Sequence, residues 1–189
     1  MFDRCGIPAR FTRPEEERLE AESDKLDVPE GFIAFPTPAG NESLSILGLR
    51  TSLGVGPRKA PCFFDHPWYL AEAFARRSCH PGWHVLSTTI LEDSANQPVY
   101  YVERLTPDGR FLTGAVELAL MLFVHHAVTG ERLLQRKHTW TLDRTADGRF
   151  VSVGAFGEKG LFVSSHEAGY KSRGLGICPE AVPFGPGGV

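Results

Sequence analysis

Between Lys137 and Ser165, apolar and polar residues alternate in three short runs: His138–Leu142, Phe150–Ala155 and Leu161–Ser164. Asp147-Gly148 separates the first two, and Gly157–Gly160 the last two. Alternation at period two marks a half-buried strand, and both interruptions carry hairpin-turn chemistry. The segment is predicted to be an antiparallel three-stranded meander. Upstream, Ala115–Val128 is apolar almost all round, broken only by Glu117, His125 and His126. That pattern predicts a helix over 114–128, covered on most sides and stopped by Gly130.

Other elements are read from weaker signals. Thr12, Pro14 and Glu15 have capping-box spacing and open a polar helix ending near Leu26, with only Leu19, Ala21 and Leu26 to bury. Residues 27–40 hold three prolines and read as a loop around a short extended piece at Phe32–Phe35. Leu44–Leu53 fits helix or strand. Asp65 can cap a helix over 66–78, with Leu70, Ala71, Phe74 and Ala75 on one face and Pro81-Gly82 as its stop. His84–Leu91 and Val99–Leu105 read as strands joined by the polar loop Glu92–Pro98. The hexapeptides Thr106–Phe111 and Thr145–Phe150 share an Asp-Gly core, read as two independent hairpin turns because their flanks differ.

Together these elements predict an α+β fold, a mostly antiparallel sheet of about five to six strands packed against two main helices, with the polar N-terminal helix outside. The chain divides into an N-terminal arm (1–40), one α+β domain (41–182) and a flexible tail (183–189). A parallel βαβ arrangement fits less well, because the strongest strands are joined by hairpins.

Composition narrows the function classes. Hydrophobic residues make up 42% of the 189 and charged residues 23%, ordinary values that exclude wholesale disorder. A net charge of −3 argues for neither a polyanionic nor a polycationic partner, and nine of the acids lie in residues 1–30. The longest apolar run, as helix, spans only about 21 Å, short of a bilayer. Cys5, Cys62, Cys79 and Cys178 include no close-spaced pair, and the N-terminus has no apolar signal core. A reduced, cytoplasmic setting is expected, with no membrane partner.

Reactive side chains are densest between Cys62 and His84. Cys62, His66, Cys79 and His84 imitate zinc-ligand spacing, but a helix over 66–78 would hold the two pairs about 18 Å apart, so no metal is expected. Cys79 with His80 or His84 has the makings of a thiolate–imidazole pair, although a helix C-terminus would oppose the thiolate. Glu117 falls at the third position of its helix, where capping of free amides is favoured over general-base work. The adjacent His125 and His126 point about 100° apart and suit the helix's negative end better than one metal. Gly54–Lys59 lacks phosphate-loop spacing, and Pro57 removes an amide. Arg132, Arg136, Lys137 and Trp140 form a basic-aromatic stretch, but alternation splits its charge between two faces, so nucleic acid is not the expected partner. Cys-x-x-Cys, Gly-x-Ser-x-Gly, His-Glu-x-x-His and Gly-x-Gly-x-x-Gly are all absent.

The resulting expectation is a non-catalytic binding or regulatory protein meeting a protein partner through Trp68, Tyr69, His80, Trp83 and His84, without a cofactor. The alternatives are a small hydrolase or transferase using Cys79 or Glu117 with His80 or His84, and a nucleic-acid-binding accessory protein. A cleft gathering those side chains would favour the enzyme; scattered histidines around a solid core would favour the binding protein.

Overall fold

The computed structural model describes residues 1–56, 61–105 and 112–181. Along these the chain forms α1 (Phe2–Cys5), α2 (Arg13–Ser23), β1 (Phe32–Thr37), α3 (Ile46–Leu53), β2 (Gly82–Ser87), α4 (Val99–Leu105), α5 (Ala115–Thr129), β3 (His138–Arg144), β4 (Phe150–Gly157), β5 (Gly160–His166), β6 (Leu175–Gly176) and β7 (Glu180–Ala181). The class is α+β. The strands form two sheets rather than one: β1-β2-β7, and β5-β4-β3-β6. All pairs are antiparallel except β3 with β6.

The meander is present as β3-β4-β5. Its first turn is closed by the Gly148 amide on the Thr145 carbonyl, 2.9 Å, and by the Arg149 amide on Thr145 Oγ1, 2.8 Å. The positive φ belongs to Gly148 (83°) and not to Asp147, whose carboxylate instead accepts from Thr145 Oγ1. Asp147→Pro should still lower the melting temperature. Proline at this place in the turn drives the preceding residue out of the helical region, and the Thr145 contact is lost. An unchanged thermal melt would contradict that account.

Helix α5 runs through the centre of the molecule, buried from Ala115 to Val124, with Gly114 before it and Gly130 (φ 80°) ending it. Val151, Val153, Leu161 and Val163 of the meander close over it from one side. Phe35 and Leu86 of the smaller sheet, with Ile46, Leu49 and Leu53 of α3, complete the same core. The other face of the meander is covered too, because Trp140 and Phe150 pack with Val99 and Val102 of α4 and with Leu175 and Ile177. Thr12 and Glu15 make the capping box that opens α2.

Three expectations are corrected. Residues 66–78 are not a helix but two short 3-10 turns, Pro67–Ala71 and Phe74–Arg76. The chain is extended at Glu72 between them, which lets Tyr69 and Phe74 both reach the core and puts the Glu72 carboxylate on the Ala146 amide at 2.8 Å. Val99–Leu105 is helix, not strand: Val99 and Val102, one helical turn apart, bury on Trp140 while Tyr100 and Tyr101 face solvent. The strand expected over His84–Leu91 starts earlier and ends at Ser87. Residues 57–60, the first hexapeptide copy and the tail 183–189 lie outside the described residues. Among the described residues no helix is long and apolar enough to cross a membrane.

Candidate functional site

A cleft of about 580 Å³ opens at the start of α5, lined by Arg77, His80, Trp83, His84, Glu117, Asp143 and Glu180 among others. The backbone is extended at Arg77, just past the second 3-10 turn, and the Cys79 amide binds the Leu44 carbonyl at 2.7 Å. This carries residues 77–81 over the first turn of α5.

Arg77 holds the centre. Its Nη1 and Nη2 donate to both oxygens of Glu117 at 3.0 and 2.8 Å, and its Nε and Nη2 to Asp143 at 3.2 and 3.4 Å. With His80 Nδ1 3.5 Å from Nη1, the five guanidinium protons all have neighbours. Gly114 makes room for this contact: a Cβ there would stand 1.7 Å from Arg77 Nη2 and 2.2 Å from Glu117 Oε2. Burial alone would raise the Glu117 pKa. The hydrogen bonds and charge of Arg77 outweigh it, with help from the Glu117 and His80 amides, and bring it down to about 2.

The capping role expected of Glu117 is shared. Asp143 Oδ2, arriving from β3, accepts from the Ala115 amide at 2.6 Å. Glu117 accepts from its own amide and otherwise serves Arg77 and the His80 amide (3.2 Å).

His84 forms the second half of the cleft floor. Its Nε2 lies 2.9 Å from the His80 carbonyl, 3.2 Å from Thr37 Oγ1 and 3.6 Å from Cys79 Sγ. Its Nδ1 lies 3.0 Å from Glu180 Oε1, and the ring stacks on Phe35. A carbonyl at one nitrogen and a carboxylate at the other both demand a donor, so the imidazolium is the form that satisfies them. Burial opposes the charge, but Glu180 and the His80 carbonyl raise the His84 pKa overall. Burial and the nearby Glu117 charge push the Cys79 thiol far up. The pair foreseen between Cys79 and His84 is therefore present in geometry, but its sulfur is held as an unreactive thiol.

His80, Trp83 and His84 line this cleft, whereas the other two candidate surface residues lie elsewhere. Tyr69 is 1% exposed and its hydroxyl takes a hydrogen bond from Arg50 at 2.9 Å. Trp68 donates to the Val163 carbonyl at 2.9 Å and packs on Phe74. His125 and His126 sit toward the far end of α5, about 15 Å along its axis from the first residue. Without a helix over 66–78 the length argument against zinc no longer applies. Among the described residues, no group of three or more His, Cys, Asp or Glu is placed to hold a metal. Arg77, Thr37, Asp143 and Glu180 had not been singled out. A usable signal existed for Asp143 alone, as the acid interrupting the apolar alternation of β3.

No family model, curated protein or solved structure matches the chain.

Proposed function

We propose that the chain is a non-catalytic binding protein whose partner surface is the cleft and its rim, centred on His80 and Trp83, with His84 fixed beneath them. The cleft does gather His80, His84 and Glu117, the arrangement expected of the enzyme; the observation that carries the binding reading against it is the saturation of the reactive groups. Arg77, Glu117, Asp143, His84 and Glu180 satisfy one another, and burial with the nearby Glu117 charge opposes ionisation of Cys79, so the floor offers no activated nucleophile. What remains for a partner is the exposed His80 ring, the half-buried Trp83 ring, whose Nε1 is itself buried and without a hydrogen-bond partner among the described residues, and the exposed Leu142 on the rim. Such an aromatic and apolar rim around a polar floor suits a protein segment. The four cysteines are free and buried, which fits a reducing, cytoplasmic compartment.

Panning a peptide library displayed on phage against the purified chain tests this. Selected peptides should lose about tenfold or more in affinity to His80→Ala and Trp83→Ala, while Trp68→Phe leaves them unchanged. Peptides whose binding survives both cleft variants would overturn it. A second reading rests on His80 Nδ1 lying 3.3 Å from Glu117 Oε1. If that nitrogen donates, Nε2 is left free as a general base oriented by a carboxylate. Steady hydrolysis of p-nitrophenyl esters, abolished by His80→Gln, would decide for it.

A further inference from the structure

At the opposite end of β3, six residues and about 20 Å from Asp143, a different surface forms. The parallel pairing of β6 with β3 brings residues 171–175 against 136–138: the His138 amide binds the Gly174 carbonyl at 2.6 Å. The approach is tight, since a Cβ on Gly174 would stand 2.9 Å from the Arg136 carbonyl. Arg136 and Lys137 on one segment, and Lys171 and Arg173 on the other, thereby lie on adjoining stretches of chain. All four are exposed, and none makes an ion pair among the described residues.

Neighbouring acids do not cancel them. Glu167 is tied to Arg149 at 2.9 Å. Glu92 and Asp93, on the turn that packs against β6, leave the four cations in excess. Tyr170, next to Lys171 in the chain and 44% exposed, stacks flat on His166 with centroids 4.2 Å apart. A groove of about 430 Å³ adjoins Arg136 and Lys137, lined with them by Thr88, Thr89, Leu134 and Gln135.

We propose that this surface binds single-stranded nucleic acid, with phosphates on Arg136, Lys137, Lys171 and Arg173 and a base stacked on Tyr170. Charge complementarity favours a polyanion, and the flat exposed aromatic beside it selects an unpaired strand whose bases are free to stack. Trp140, the aromatic that sequence spacing placed with Arg136 and Lys137, takes no part, because it is wholly buried beneath α4. The stacking ring comes instead from a segment thirty residues further on.

Fluorescence anisotropy of labelled oligothymidylate and oligouridylate, about a dozen nucleotides long, tests the proposal on the full chain at about 50 mM salt. Saturable binding is expected, weakened about tenfold by Tyr170→Ala. The slope of log Kd against log salt should fall by about 0.7 for each cation removed in Arg136→Ser and Lys171→Ser. These substitutions are on the surface, and circular dichroism verifies the fold. Absence of saturable binding overturns the proposal. So does binding indifferent to Tyr170→Ala, or equal competition by polyglutamate, either of which would mark a general polyanion or acidic-protein surface.

Discussion

Arg77→Met is expected to destabilise the protein by about 3 kcal/mol at neutral pH, read from urea denaturation. Methionine keeps the length of the side chain and removes the charge. Glu117, 2% exposed at its side chain, and Asp143, 9% exposed, would then face each other without a cation. Breaking a buried pair by removing one partner costs more than the pair contributes, because the remaining charge stays buried. The loss should sit at the lower end of that range, since the Arg77 side chain is itself 31% exposed and water softens the field. The pH dependence supplies the sharper test. In the wild type Glu117 has a folded pKa of about 2 against an ordinary 4.5. It therefore contributes stability above pH 4.5 that is lost as pH falls toward 2. Without Arg77 its burial pushes the pKa the other way, so the variant's deficit should shrink as pH falls and the carboxyl takes up a proton. A deficit that stays constant between pH 7 and 4 would show that Arg77 does not govern this carboxylate.

Gly160→Ala should cost about 4 kcal/mol, the sum of backbone strain and overpacking. Gly160 opens β5 at φ 104°, where a side chain is strained whatever the space. The space is also missing: a Cβ would lie 2.5 to 2.7 Å from backbone atoms of Phe63 and Phe64. These residues run beside β5, with the Leu161 amide on the Cys62 carbonyl and the Phe64 amide on the Leu161 carbonyl, both 2.9 Å. Backbone cannot swing aside as a lysine tip would, so the strand edge must open. A melting temperature within a degree or two of wild type would disprove the close approach.

The contrast between these two positions shows what could be read from sequence. Gly160 stood out as a turn residue because turn chemistry is local, and so did the meander, the α2 capping box and α5 between its glycines. Residues 66–78 misled because their apolar spacing is helical while the decisive contact, Glu72 with Ala146, spans 74 positions. Val99–Leu105 misled because its valines and tyrosines favour strands, yet Trp140 and Leu175 bury two valines a helical turn apart. The second sheet closes on a strand of only two residues, too short to leave a pattern. In the cleft, Cys79, His80, His84 and Glu117 were visible as reactive types. Their organisers were not, since Arg77 reaches Glu117 across 40 positions and Asp143 across 66, and His84 reaches Glu180 across 96. Ion pairs at such separations leave no periodicity.

Asp143 has a consequence beyond the cleft. The first turn of α5 is completed by an acid that the ribosome adds 28 residues later, and the loop carrying Arg77 settles only when both carboxylates are in place. Neither helix nor sheet is a finished object until the other exists, so the core has no place between Arg77 and Asp143 where it divides into modules. Recombination that exchanged the meander alone would deliver a helix without its beginning.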